Sequence, residues 1–498
     1  MRVKAEAELL NQGVRASIIK DILTSREALE RKEEHKRRGD VYLDRVKEYV
    51  LRLLKIEMGA ETATEMQHRT PNINITRKII DKKARVYKDR PYRVAIDEGA
   101  QEYLDSTVEA LKLDSFMKRV NCLVELHKNI LVELLPYMDR KDQKWDIAPA
   151  ILDPSRFDVV EDENYPKAPL AVITSYFKDL EGFLQDYRAS DGQTNIIAEP
   201  AAAKSRELKQ YFVWWSDNLH FTTDAEGAIV ASSGDGHPNP FKRIPYVSFA
   251  KGQRDSFWAE GGEGVVDNAI LFNMLMADMN YSAKYQSIGI GYIKGKGALS
   301  TVTTGPSRFV RMVYEEGDPV PEIGFANPSP ALGDNMAILE QFLSLFLTSE
   351  GLEPGSITGN LNSGGGAVSG VQEIIQRSEP TSQVEDEQQL YKDVEPEIIE
   401  LLVSILSAYA PATICDSLAG ARKLALDVNY ELSFRAPAPY ISEKERLELF
   451  RLKKDTGFYS DDELLEYLFP DLDAEARAAK LAAKTAVPAI VPTPGAAD

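Results

Sequence analysis

With 498 residues, 43% of them apolar and 28% charged, the chain has the ordinary composition of a folded, water-exposed protein of several domains. Its net charge of −19 and pI near 5.0 argue against a protein that grips nucleic acid by neutralising phosphates, because such binders concentrate Lys and Arg. No window reaches the ~18 uninterrupted apolar residues of a membrane-spanning helix. Met1–Leu10 is charged and lacks the apolar core of a secretory signal, so a protein made in the cytoplasm is expected.

Residues 2–57 are rich in Ala, Leu, Glu, Lys and Arg and free of proline, which predicts nearly continuous helix. Within them SREALERKEEHKRRGD (Ser25–Asp40) reads as a solvated helix face, with contact to DNA or a partner as the alternative for its basic part, Arg31–Arg38. Pro71–Val94 predicts a loop, a basic amphipathic helix and a strand beginning near Pro91, and residues 101–139 return to helix. From Trp145 the pattern changes. IAPAILDPSRFDVVED, PLAVITSYF, QYFVWWSDN and LHFTTDAEGAIVAS are short runs rich in aromatic and β-branched residues, bounded by Asp, Pro, Gly and Asn, and they read as strands. An Ala/Ser/Asp-rich insertion interrupts them at Tyr187–Ser205, and the turn cluster SGDGHPNPFKRIPYV leads into one more strand. The first 260 residues are thus expected to be mixed α+β.

The stretch Gly261–Arg377 has an unusual order. VVDNAILFNMLMADMNYSAKYQS (Val265–Ser287) lacks proline and glycine and predicts an apolar helix, on which Asp267 and Asp278, eleven residues or about three turns apart, share one face. Ile288–Leu332 is rich in Gly and Pro with short β runs (IGIGYIKG, SRFVRMVY, PEIGF), and sets Lys294, Lys296, Arg308 and Arg311 against Glu315, Glu316 and Asp318. A small strand-built module of this kind suits packing between subunits, where a neighbour completes its edge strands. DNMAILEQFLSLFLTSE (Asp334–Glu350) predicts a second helix, with Asp334 as N-cap and Gln341, Ser344 and Thr348 at i, i+3, i+7 along an apolar rod.

GLEPGSITGNLNSGGGAVSG (Gly351–Gly370) fits no regular element. Ser369 and Gln372 then stand at capping-box spacing, and helix continues to Tyr409, with Pro380 and Pro396 expected to kink or break the rod. A strand in KLALDVNYELSF follows, then two or three helices, and a Pro/Ala-rich end (VPAIVPTPGAAD) expected to be disordered.

No catalytic constellation stands out. GKG at Gly295–Gly297 lacks the G-x-x-x-x-G-K-[ST] frame, the glycines of Ile288–Gly297 do not form G-x-G-x-x-G, and G-x-S-x-G does not occur. His35, His68, His127, His220 and His237 show no pairing at i, i+3 or i+4, and Cys122, five residues from His127, falls on another helix face; no metal site is expected. Cys122 and Cys415 read as two buried free thiols. Carboxylates are plentiful in a −19 chain and mark no acid/base pair, so neither catalysis nor a cofactor is expected.

The run NPFKRIPYVSFAKG…FWAEGGEGVVDNAILFNMLMADMNYSAKYQSIGIGYIKGKG resembles the central signature of tailed-bacteriophage portal proteins, the head-to-tail connectors, in their long-chain siphophage-type branch. In that family an N-P-x-x-x-I-P approach leads through a small-residue segment to a stem helix, a clip, a second stem helix, a tunnel loop and a long kinked helix. Each part has a counterpart here in the same order. Looser likenesses are Asn74, Ile79, Lys82, Tyr87 and Pro91 to an early wing element, LDPSRFDVVED to a wing strand, and Gly457, Ser460, Leu465, Pro470, Asp473 and Glu475 to the helical crown. The resemblance covers roughly residues 70–480.

The resemblance implies an α+β portal-type fold. Its parts would be a wing at 1–260, a first stem helix at 261–287, a clip at 288–333 and a second stem helix at 334–350. A tunnel loop at 351–370, a kinked helix at 371–410, a crown at 411–485 and a disordered tail at 486–498 would complete it. Asp267, Asp278, Gln341, Ser344 and Thr348 become candidates to line a channel, with an ordinary solvent face as the alternative for the acids. Repeated around a ring, those acids would form a negative sleeve that repels phosphate and favours sliding. Lys294, Lys296, Arg308 and Arg311 become clip contacts. Ile357, Asn360, Leu361, Asn362, Ser363, Gly364, Gly365 and Gly366 become the tunnel-loop residues that meet DNA, with a flexible linker as the alternative. Since only Glu350 and Glu353 are charged nearby, contact there would be steric or through uncharged polar groups.

Expected partners are further copies of the chain in a ring, usually of twelve, and the terminase large subunit. The major capsid and scaffolding proteins, head-completion, adaptor and tail proteins, and double-stranded DNA in transit complete the set, with no membrane. The place implied is the portal vertex of the virion, after assembly in the host cytoplasm, and ATP hydrolysis would belong to the partner motor. Two other classes stay open: a non-catalytic structural adaptor or scaffold of small oligomeric state, and an enzyme whose site assembles from scattered carboxylates.

Overall fold

The computed structural model describes residues 2–139, 143–178, 209–232, 234–252, 254–287, 290–294, 322–326, 332–352, 354, 370–424, 430–434 and 450. The chain divides into two compact units, 1–434 and 435–498, and all of these residues but Phe450 belong to the first.

The helix expected over 2–57 is four helices: α1 (Arg2–Glu8), α2 (Gln12–Thr24), α3 (Arg26–Tyr42) and α4 (Val46–Met58). Local groups make the breaks. Asn11 Oδ1 accepts the Gly13 N–H at 2.8 Å, Ser25 Oγ accepts the Ala28 N–H at 3.3 Å, and Asp44 sits at φ 72°, which no right-handed helix continues. Then come α5 (Ala60–Met66) and α6 (Ile75–Lys83), the latter capped by Asn74, whose Oδ1 accepts the Arg77 N–H at 2.9 Å. β1 (Tyr92–Ala95), α7 (Gln101–Ala110) and α8 (Leu113–His127) follow.

The expectation of helix over 101–139 is corrected here. Lys128 takes φ 63° and caps α8, and the apolar run after it pairs on both sides as β2 (Asn129–Glu133). A short apolar run reads equally as helix or strand, and the left-handed cap decides between them.

β3 (Pro136–Met138) and β4 (Trp145–Ile147) pair with each other, and β5 (Ala150–Leu152) pairs with β2. β6 (Phe157–Asp162), β7 (Tyr165–Lys178), β8 (Lys209–Trp215), β9 (His220–Thr223) and β10 (Ile229–Ser232) form an antiparallel meander in chain order. β11 (Tyr246–Ala250) completes a three-stranded sheet of order β11-β2-β5. After α9 (Glu263–Ser287), β12 (Ile290–Lys294) and β13 (Glu322–Ala326) pair antiparallel. α10 (Leu332–Ser349), α11 (Gly370–Ser407) and β14 (Tyr430–Ser433) follow, β14 pairing with β1. The chain is therefore α+β, as its sequence indicates.

α11 is assigned as helix throughout, across Pro380 and Pro396, so of the expected kink or break the break does not occur. Around Pro396 the reason is tertiary. Ile398, Ile399, Leu401 and Leu402 are fully buried, at roughly 1.5–3 kcal/mol each, which outweighs the ~3 kcal/mol cost of an interior proline. Glu395, also fully buried, accepts from Arg93 Nε at 2.6 Å, from Tyr430 at 3.1 Å and from Tyr87. That network ties α11 to the β1–β14 ribbon.

Candidate assembly surface

α9 is fixed at its start by one buried arginine. Arg38, its side chain 2% exposed, donates to the Gly261 carbonyl at 2.8 Å and the Leu126 carbonyl at 3.4 Å, and pairs with Glu34 at 2.9 Å and Glu263 at 2.8 Å. Gly262 is required here: at φ 92° a Cβ would stand 2.8 Å from Arg38 Nη1. Glu263 also lies in the first turn of α9, where a carboxylate complements the helix dipole. Farther along, buried Asn273 accepts the Ile73 N–H at 2.9 Å and donates to the Ile73 carbonyl at 2.9 Å. Asn280 donates to the Arg69 carbonyl at 3.0 Å. The helix is therefore stapled to the segment before α6 at successive heights.

Packing fills two sides of α9. Val266, Ile270 and Ala277 meet Val50, Leu54 and Met66 of α4 and α5, while Val265, Ala269 and Phe272 join Leu339, Phe346 and Leu347 of α10 and Ile79 of α6. At ~100° per residue, the remaining strip carries Asp267, Leu271, Leu275 and Asp278. Leu271 is 42% exposed. The outer strip of α10 runs Ile338, Gln341, Leu345, Thr348, with Ile338 62% and Leu345 64% exposed. Each strip is half apolar and half polar. Isolated exposed leucines are ordinary on a protein surface; here two large apolar side chains are exposed on each of two neighbouring helices.

α10 ends by a recognisable device. Gly351 takes φ 71° and its N–H donates to the Thr348 carbonyl at 3.0 Å, while the Leu352 N–H reaches back to the Leu347 carbonyl at 2.9 Å and the Leu352 side chain joins the α9–α10 core. Lys83 of α6 pairs with Glu350 at 2.7 Å.

The predicted site residues sort as follows. Asp267 and Asp278 do share a face; Asp267 pairs with Arg37 at 2.8 Å, and one Asp278 oxygen is buried with no hydrogen-bond partner among the described residues. Burial raises the Asp278 carboxyl above its ordinary range, with the charge of Glu57 adding to the effect. Gln341 and Thr348 are exposed and Ser344 is half-buried, its carbonyl accepting the Thr348 hydroxyl at 2.8 Å. Lys294 closes β12. Lys296, Arg308 and Arg311 lie outside the described residues, as do Ile357, Asn360, Leu361, Asn362, Ser363, Gly364, Gly365 and Gly366.

Of the basic run Arg31–Arg38, Arg31, Lys32 and Arg38 are turned inward, whereas Glu33 and Lys36 lie on the exposed face that the helix pattern predicts. Arg31 stacks over Trp258 at 3.8 Å, Lys32 pairs with Asp158 at 2.7 Å, and Arg38 is buried under α9. His35 and His127, with no partner in sequence, meet Nδ1 to Nδ1 at 3.1 Å. Cys122 is half-buried and Cys415 buried, and neither is in a disulfide. Among the described residues no cluster of three potential metal ligands occurs, and no helix is long and apolar enough to cross a membrane.

No protein-family model matches the chain, and no curated protein matches it. Among solved structures, a chain in the virion of a native gene transfer agent particle is similar at a TM-score of 0.32 and 12% identity, over 81% of this chain and 89% of that one. A TM-score of that size does not establish a shared fold.

Proposed function

We propose that this chain is a portal-type protein that assembles into a ring, its α9 and α10 forming the wall of a channel for double-stranded DNA at a capsid vertex. The observation that carries the reading is the pair of half-apolar strips, Asp267–Leu271–Leu275–Asp278 and Ile338–Gln341–Leu345–Thr348, left open on the two helices that flank the β12–β13 hairpin. Head-to-tail contacts between identical copies close into a ring with a central hole when the rotation between them divides a full turn. In that reading the chain catalyses no reaction and holds no cofactor. The terminase motor, capsid and scaffolding proteins, and head-completion, adaptor and tail proteins dock on the ring, and the protein resides in the virion. The order of elements along the chain, which follows the portal pattern quoted above, supports it.

A structural adaptor of small oligomeric state would use the same strips in a dimer. Native mass spectrometry with negative-stain imaging separates the two: a single large species with ring-shaped end views supports the portal reading, and a dimer at every salt concentration defeats it. The variant Leu345→Asp places a charge in the contact. It is expected to shift the ring toward monomer while leaving the secondary structure of the monomer intact, as read by circular dichroism.

A further inference from the structure

Two short helices expose more like charge than they neutralise. On α6, Ile75, Thr76, Ile79 and Ile80 are buried, while Arg77, Lys78 and Lys82 stand exposed on the opposite face. Asp81, the acid among them, accepts the Tyr42 hydroxyl at 2.9 Å and lies 3.6 Å from Arg77. α7 (QEYLDSTVEA) contains no cation; it buries Leu104, Thr107 and Val108 and exposes Glu102, Asp105 and Glu109. At ~100° per residue those three acids fall within about 60° of one another, a single stripe. Lys78, Lys82, Glu102, Asp105 and Glu109 stand in no ion pair among the described residues. In α3, by contrast, surface charges are paired within the helix, Arg26 with Glu30 at 2.7 Å and Arg37 with Glu34. α7 itself gains nothing from its stripe. Asp105 and Glu109 are four residues apart, where like charges oppose a helix, and Glu109 sits in the last turn, where a negative charge opposes the dipole.

We propose that the acidic stripe of α7 on one copy of the chain docks on the basic stripe of α6 on the next, a head-to-tail charge contact that sets the orientation of assembly. The stripes are opposite in sign and similar in length, about 8 Å for 77–82 and about 10 Å for 102–109 at ~1.5 Å per residue. Both helices pack on α8 but through different cores, α6 beside Leu126 and α7 with Met117 and Val120. One copy therefore offers both halves of the contact on separate surfaces and does not satisfy them itself. Copies of a chain with net charge −19 repel as they approach, and a basic stripe inside the contact offsets that repulsion where it is strongest. Because the two halves differ, the contact is heterologous, the kind that closes rings. Exposed charges of this sort steer encounter and reject wrong registers more than they add affinity. The inference rests on the reading that copies of the chain assemble, and adds to it which charged helices meet.

Charge reversal of the full chain tests it, with self-association read by native mass spectrometry and sedimentation. Lys78→Glu/Lys82→Glu makes both stripes acidic, and Glu102→Lys/Glu109→Lys makes both basic. Each double variant alone is expected to self-associate about tenfold or more weakly than the wild type, the deficit shrinking at high salt. An equimolar mixture of the two is expected to recover assembly, with both variants in the same particles, because each reversed stripe then faces its opposite. A mixture that recovers nothing overturns the pairing of α6 with α7. Variants that assemble as the wild type does overturn the contact and leave the ring reading standing, whereas a wild type that stays monomeric at every salt concentration overturns both. If Lys78→Glu/Lys82→Glu assembles normally but no longer retains a double-stranded DNA fragment that the wild type retains, the α6 stripe serves DNA and the proposal falls. Should either double variant lose its helical circular dichroism, the single reversals Lys78→Glu and Glu109→Lys replace the pair and are read in the same way.

Discussion

The His35–His127 pair gives a sharp expectation for acid stability. Both rings are buried where α3 crosses the end of α8, and two nitrogens 3.1 Å apart accommodate one hydrogen between them. With both rings neutral, one donates and the other accepts. With both charged, the two N–H groups collide. Burial pushes His35 down to about 2, helped by His127, Arg38 and Arg31, and pushes His127 down to about 4, with Asp153 opposing and Arg38 assisting.

In the unfolded chain each titrates near 6.5, so over the window from about 6.5 down to about 4 the unfolded state binds protons that the folded state refuses. Stability therefore rises with pH across this window and is lost on acidification. Between pH 6.5 and 5.5 the loss is about 1 kcal/mol per histidine, or about 2 kcal/mol for the pair. Paired carboxylates also weaken in acid, so the measurement is a difference: urea unfolding of the wild type and of the double variant His35→Gln/His127→Gln at both pH values. The double variant is expected to lose about 2 kcal/mol less than the wild type over that unit of pH. Equal losses would refute the reasoning, because they would mean that the pair is already protonated, or hydrated, in the folded protein.

Two further substitutions probe the frame around α9 and α10. Arg38→Met removes four partners at once, but Glu34 and Glu263 stay partly hydrated, so the cost is set at about 2–3 kcal/mol, below that of a fully buried broken pair; a shift in urea midpoint worth under 1 kcal/mol would show that Arg38 does not fix the start of α9. Gly351→Val forces a β-branched residue to φ 71° and is expected to cost about 1–2 kcal/mol, with exchange rising first at the end of α10; an unchanged midpoint would mean that the helix can end in another way.

Features written in neighbouring residues could be read from the chain. The end of α10 was among them, because an apolar rod followed by Glu-Gly-Leu-Glu-Pro has few other ways to stop. The strands from Trp145 onward were legible by their aromatic and β-branched residues and by the turn residues between them. The Asn11 and Ser25 caps are local too, yet the strong helix propensity of residues 2–57 concealed them.

Long-range partners were not legible. Nothing near His127 announces His35, 92 residues earlier, and nothing near Arg93 announces Glu395, 302 residues later. The run Arg31–Arg38 illustrates the difficulty well. Its spacing shows charge in quantity, whereas its function is set by Asp158, Trp258 and Glu263, which reach it only through the fold. Pro396 shows the same limit from the other side, since burial that no local pattern reveals keeps α11 intact across it.

The mixed character of the two open strips constrains how copies could meet. Among the described residues one strip of α9 is left open, because α4 and α5 fill one flank and α6 and α10 the other. A copy that covers Leu271 and Leu275 must therefore also deal with Asp267 and Asp278, and a buried carboxylate without a donor costs several kcal/mol. Asp267 already has Arg37, whereas the buried oxygen of Asp278 has no partner among the described residues. The outer strip of α10 has the matching inventory: Ile338 and Leu345 to meet the leucines, and the amide of Gln341 and hydroxyl of Thr348 as donors. In the ring proposed above, α9 of one copy against α10 of the next would bury all four apolar side chains. A channel wall made from either strip would instead leave the two large apolar side chains of that strip in water in every copy. The subunit contact is therefore the lower-energy use of both strips.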